Sequence, residues 1–152
     1  MKSESPKESI DRFLAGMEIQ LLPLESGDDI LFKGSGSTIH LDGDDIFLLD
    51  ASQQTIFRFG RDGKFKNKIF RKGQGAEEYN VLFNIALSDN KIYGLDNMKI
   101  QLYDYEGHYI KTIPLKNNGR QIAVTKDGTI AVASNYIQPY QLTVYHPDGT
   151  VF

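Results

Sequence analysis

Three times along this chain an apolar-alternating run ends in an acidic or polar residue. A second alternating run follows, and an Asp-Gly or Glu-Gly turn closes the pair. The first copy is Asp45-Ile46-Phe47-Leu48-Leu49-Asp50, then Thr55-Ile56-Phe57-Arg58-Phe59, then Asp62-Gly63. The second is Lys91-Ile92-Tyr93-Gly94-Leu95-Asp96, then Lys99-Ile100-Gln101-Leu102-Tyr103, then Glu106-Gly107. The third is Thr129-Ile130-Ala131-Val132-Ala133-Ser134, then Gln141-Leu142-Thr143-Val144-Tyr145, then Asp148-Gly149. Gly63, Gly107 and Gly149 lie 44 and 42 residues apart. A period in the low forties built from short strands is the mark of propeller blades. The expected fold is therefore all-β, made of β-propeller blades that are each a four-stranded antiparallel meander, with about three blades present.

The strands fall in order. In the first unit they are expected near Ser37–Leu41, Asp45–Asp50, Thr55–Gly60 and Lys64–Arg71. In the second they are expected near Leu82–Leu87, Lys91–Asp96, Lys99–Tyr105 and Tyr109–Leu115. The third unit places them near Arg120–Thr125, Thr129–Ser134, Gln141–His146 and Thr150–Phe152. The blades thus lie near 37–72, 82–115 and 119–152. Asp42-Gly43-Asp44, Ser88-Asp89-Asn90 and Lys126-Asp127-Gly128 join successive strands, and these residue types tolerate positive φ at tight hairpins.

A closed ring typically needs about four to eight blades. The expectation is a partial propeller within residues 18–152: a fragment of a larger ring, or failing that a half-ring that forms a homodimer of six blades. A third arrangement is an arc packed on something else. Ile19-Gln20-Leu21-Leu22-Pro23-Leu24 reads as a strand, demoted to an edge by Pro23, that would supply the missing outer strand if the two ends paired. Residues 1–17 read as a flexible lead. Within it Ser9 caps a short amphipathic turn, Ile10-Asp11-Arg12-Phe13-Leu14, which Gly16 ends.

Composition excludes several function classes. With 17 basic and 20 acidic residues the net charge is −3, without the basic footprint of a nucleic-acid binder. Lys64, Lys66 and Lys68 alternate with Phe65, Asn67 and Ile69, so they belong to a solvated strand face. The absence of cysteine removes disulfides, thiolate zinc sites and cysteine nucleophiles. No apolar run approaches the ~20 residues of a membrane span, and the polar N-terminus carries no signal-peptide core.

The tail of the first unit, Gly73-Gln74-Gly75-Ala76-Glu77-Glu78-Tyr79, follows a strand that begins Gly63-Lys64-Phe65. Together they resemble the G-K-F … G-x-G-P-x-E-Y signature of NHL-type repeats, in particular the six-bladed β-propeller lipoproteins common in Bacteroidetes. Leu22-Pro23-Leu24-Glu25 is similar to the I-P-L-E strand that opens those domains, and the Asp50 and Asp96 endings to their I-Y-V-L-D strand. Ala76 stands where proline is usual, and Ser134 replaces the third strand-ending Asp. The similarity covers roughly residues 18–152, the N-terminal half of such a protein. It implies a place in the periplasm or at the cell surface, with a lipid anchor upstream of this chain, and it implies no settled activity.

Gly73 and Gly75 are not read as a phosphate cradle, because Glu77 and Glu78 follow in place of a helix N-terminus. They read as a crossover that needs positive φ at glycine. Asp50 and Asp96 read as Asx-type acceptors for the turns that follow them, in preference to calcium ligands. His40 falls on an innermost strand, and His108 and His146 on turns at the other face, so no metal site and no catalytic residue is assigned. One connection is longer than its counterparts: Asn135-Tyr136-Ile137-Gln138-Pro139-Tyr140, against Ala51–Gln54 and Asn97–Met98. It would project on the face that carries the crossover. Candidate binding residues are Gln74, Glu77, Tyr79, Tyr136, Gln138 and Tyr140, where rings stack on a ligand and amides hydrogen-bond to it. The function expected is a non-enzymatic extracytoplasmic binding or scaffold module for a glycan, peptide or protein partner, using no cofactor. The alternative is a metal-dependent propeller hydrolase or lyase whose site is completed by blades beyond these.

Overall fold

The computed structural model describes residues 12, 15–17, 20–34, 36–134 and 141–152. Among them are eleven strands in three antiparallel sheets. The first sheet is β1 (Ser37–Asp42), β2 (Asp45–Asp50), β3 (Thr55–Gly60) and β4 (Phe65–Ile69). The second is β5 (Asn84–Ser88), β6 (Lys91–Leu95), β7 (Lys99–Asp104) and β8 (Tyr109–Pro114). The third holds β9 (Gln121–Val124), β10 (Ile130–Ala133) and β11 (Leu142–Tyr145). Each sheet pairs its strands in chain order, as a meander. At the expected fourth strand of the third sheet only a bridge forms, Tyr145 to Val151, with Phe152 N–H donating to the Val144 carbonyl at 3.1 Å.

The hairpin turns use the residues that allow them. Gly43, Asp89, Asn90 and Gly128 all have positive φ, as do the turn glycines Gly63, Gly107 and Gly149. Gly149 also abuts the second sheet, where a Cβ would lie 2.7 Å from Ile113 Cγ2.

Register makes the repeat concrete. Leu49 pairs with Thr38 and Ile56, Leu95 with Asn84 and Ile100, and Ala133 with Gln121 and Leu142. The sheets stack face to face, and the first strands β1, β5 and β9 lie side by side. Between the first two sheets a core forms from Phe47, Leu49 and Ile56 against Ile85, Ile92 and Tyr103. Between the second and third it forms from Leu95, Ile100 and Leu102 against Ile130, Val132 and Tyr145. Successive side chains point to opposite faces, so a strand between two cores is buried at nearly every position. Strands β2 and β6 show this, whereas β10 is buried only at alternate residues.

The equivalent residues Ile56 and Ile100 are both 0% exposed, but Leu142 is 59% exposed. On the opposite side Ile39 is 65% exposed, while its counterpart Ile85 is buried. The outer face of the first sheet is partly covered: Leu24, Ile30 and Phe32 pack on Ile46, Leu48, Phe57 and Phe59.

This covering segment corrects one expectation. Residues 20–24, part of the expected closing strand, form no strand. They lie against the β3–β4 turn, where Glu25 N–H donates to the Gly63 carbonyl at 2.8 Å and the Glu25 carboxylate accepts from Phe65 N–H at 2.9 Å. Proline at 23 has no N–H to give a ladder, and the Pro23 carbonyl sits 2.2 Å from where a Cβ on Gly63 would stand. The lead helix expected at Ile10–Leu14 lies almost wholly outside the described residues.

An ion-paired fastener joins the first two sheets at the end remote from Asp50. Arg58 donates to both oxygens of Asp45 at 3.0 Å and to Glu106 at 2.7 Å. Burial alone would raise the Asp45 pKa, but Arg58 and Lys66 outweigh it and hold the carboxyl below its ordinary value.

Candidate functional site

The connections opposite that fastener are built around two buried carboxylates. Asp50 ends β2 and is fully buried. It accepts from Ser52 N–H (2.9 Å), Ser52 Oγ (2.6 Å), Gln53 N–H (3.1 Å) and Gln53 Nε2 (2.7 Å), the Asx-type turn expected. It also accepts from Lys33 N–H at 2.7 Å, which ties the segment leading into β1 to the same carboxylate. Burial alone would raise its pKa, yet these donors hold it far below the ordinary carboxylate value. Asp96 repeats the device in the second sheet, accepting from Asn97 N–H (2.6 Å), Asn80 N–H (2.9 Å) and Val81 N–H (3.4 Å). The repeated strand-ending Asp therefore clamps two connections at once.

The crossover between β4 and β5 is held as tightly. Gln101 Nε2 donates to the carbonyls of Ala76 (3.0 Å) and Glu78 (2.7 Å), Tyr103 Oη to Glu77 O (2.8 Å) and Lys99 Nζ to Glu78 O (2.8 Å). Inside the loop, Gly75 N–H donates to the Glu78 carboxylate at 2.9 Å. Neither Gly73 nor Gly75 is among the positive-φ glycines, contrary to expectation. The reason for glycine at 73 is space: a Cβ there would lie 1.8 Å from Glu78 Oε2.

Tyr79 also departs from its expected role as a ligand contact. It is 0% exposed, donates to the Gln54 carbonyl at 2.7 Å and accepts from Arg71 N–H at 3.0 Å. Burial raises its pKa to about 12. Its ring belongs to the core between the first two sheets, edge-on to Tyr103. Gln54 extends the same stitch, with Nε2 on Ala51 O at 2.7 Å and Oε1 accepting from Leu82 N–H at 2.5 Å.

On this rigid frame lies a groove of about 370 Å³ lined by Gly73, Gln74, Asn80, Asp96, Asn97, Met98 and Lys99. Of the expected binding residues, Gln74 lines it. Glu77 is exposed on the same crossover but does not line the groove. Tyr136, Gln138 and Tyr140 lie outside the described residues. Sequence reasoning missed Asn80, Asn97, Met98 and Lys99. A signal was present for Asn97, Met98 and Lys99, which directly follow the repeated Asp96, but not for Asn80, which meets Asp96 from 16 residues away only in the folded chain. The groove presents carboxamides beside one half-exposed thioether, and none of these lining residues is aromatic.

A second hollow, of about 420 Å³, runs along the first strands of the sheets and is lined by His40, Asn84, Gln121 and the apolar residues between them. His40 was expected on the innermost strand. Its Nε2 lies 3.1 Å from Thr38 Oγ1, and burial lowers its pKa. His108 Nδ1 instead sits 2.8 Å from Asp104, and the His146 ring stacks on Phe152. Among the described residues no group of three or more histidines and carboxylates is arranged to hold a metal ion.

Residues 13–152 match a family described as Domain of unknown function (DUF4934). The solved structure of a Bacteroides fragilis protein assigned as exported is similar to 88% of this chain, with a TM-score of 0.74 and 22% identity. The chain spans 40% of that protein's length, and the likeness shows the fold alone. No curated protein matches the chain significantly.

Proposed function

The chain belongs to the DUF4934 family, and from its loop face we propose that it is a non-enzymatic recognition module: an arc of NHL-like β-propeller blades that holds an extended peptide segment of a partner protein outside the cytoplasm. The observation that carries this reading is the contrast on one face between fully spent and free polar groups. Asp50, Asp96, Gln54 and Gln101 use their hydrogen-bonding capacity to fix the loops. Gln74, Asn80, Asn97 and Met98 are left to front the groove. A prefixed surface loses little conformational entropy on binding.

Carboxamides match the alternating donors and acceptors of a peptide backbone, and a flexible thioether adapts to varied side chains. With Tyr79 in the core, none of the residues lining the groove carries a ring for a sugar to stack on, which favours a peptide over a glycan there. The propeller reading is supported by the side-by-side first strands and the stacked four-stranded meanders. The extracytoplasmic reading is supported by the assignment of the Bacteroides fragilis protein as exported.

Selection of displayed random peptides on the immobilised chain tests the reading. Enriched peptides should lose binding to Asn97→Ala and Met98→Asp variants that melt like the parent. Failure to enrich any peptide, or binding indifferent to both variants, would refute it.

A further inference from the structure

The mouth of the hollow between the first strands carries chemistry that the peptide groove does not use. Arg120 directly precedes β9, and its guanidinium carbon lies 3.8 Å from the centroid of the Phe83 ring, which directly precedes β5. A guanidinium held on an aromatic face keeps its N–H edges in its own plane, turned away from the ring. Among the described residues Arg120 pairs with no carboxylate.

The next residue on each strand adds to this. Asn84 and Gln121 occupy equivalent register positions, opposite Leu95 and Ala133, and both line the hollow. Asn84 Oδ1 accepts from Ile85 N–H at 2.7 Å, which fixes the amide's orientation and leaves its NH₂ as the group available to a ligand. One charged fork of donors therefore stands on the residue directly before Gln121, and the Asn84 amide lines the hollow itself, where the adjoining residues Ile85, Ala86, Leu87, Ile122, Ala123 and Val124 are apolar.

We propose that this mouth is a carboxylate-binding site, in which Arg120, braced on Phe83, takes both oxygens of the carboxylate and Asn84 donates to one of them. A planar fork matches a carboxylate bidentately, and the apolar strand residues below it accommodate the body of the ligand. The carboxylate can come from a uronic acid or from an acidic peptide side chain, and the recognition is the same for both. The site stands apart from the Gln74–Met98 groove, so neither reading depends on the other.

Titration of ¹⁵N-labelled chain with glucuronate, glucose and N-acetyl-aspartate amide in low-salt buffer tests it, because an exposed pair is screened by salt. Glucuronate or the aspartate amide should shift the Asn84, Gln121 and Arg120 side-chain resonances, and glucose should not. Arg120→Ala should weaken binding tenfold or more, and Arg120→Lys should recover only part of it, since an ammonium keeps the charge and loses the fork. Asn97→Ala should leave carboxylate binding unchanged. Shifts with glucuronate alone identify the sugar acid as the source, and shifts with the aspartate amide alone identify the peptide. Equal response to glucose, or full affinity retained in a folded Arg120→Ala chain, would overturn the proposal.

Discussion

Replacing Asp50 by alanine should be among the most damaging single changes on the loop face. The carboxylate accepts five hydrogen bonds, three of them from the backbone N–H groups of Lys33, Ser52 and Gln53. Ser52 Oγ and Gln53 Nε2 can turn to water, but the three amides are fixed by the chain. Each amide left without an acceptor costs about 1 kcal/mol at a partly buried site, so the loss is about 3 kcal/mol. For a chain of this size that corresponds to a fall in Tm of about 6–12 °C. Asp96→Ala removes two short bonds and one long one, and should cost about 2 kcal/mol. Asp127→Ala, at a fully exposed turn, is the control and should cost least. Thermal melts followed by circular dichroism at pH 7 rank the three. An Asp50→Ala chain that melts with the Asp127→Ala control would refute the clamp. Acid provides an independent check. Because the folded-state pKa of Asp50 lies below its unfolded value, the unfolded chain binds the proton first as pH falls. The stabilisation is complete above the ordinary carboxylate pKa of about 4 and drains away below it. The Asp50→Asn chain should therefore lose less stability than the parent as pH falls from about 5 to about 2.

Two further outcomes test the reassigned residues. Tyr79→Phe removes a buried hydroxyl that both donates to Gln54 O and accepts from Arg71 N–H. It should cost about 2 kcal/mol in urea unfolding and leave peptide binding unchanged, whereas a ligand-contact tyrosine would show the reverse. Gly73→Ala should push the Glu78 carboxylate off Gly75 N–H and cost about 1 kcal/mol, as should Glu78→Ala. The double variant should cost little more than either single one, and strict additivity in the cycle would sink the close-approach explanation.

Much of this architecture was legible in the chain because it rests on short-range rules. Alternation, hairpin turn residues and the 44- and 42-residue spacing locate the strands to within one or two residues, except at the fourth strand of the third unit, where only a bridge forms. The role of Asp50 was also legible, since an Asp at a strand end bonds the turn directly after it. Its bond to Lys33 N–H was not, because that amide lies 17 residues away and arrives only when the chain folds back. The same limit governs Tyr79. Its place after a glycine-rich crossover suggested an exposed ring, but the clamp around Gln54 pulls the ring between two sheets. It also governs the repeat itself. Ile56, Ile100 and Leu142 are interchangeable by pattern, yet the first two are buried and the third is open to solvent. Period and turn chemistry are local properties that every copy shares, so the sequence alone determined the sheets. Burial depends on which neighbour stands against each face, and only the tertiary structure decided that.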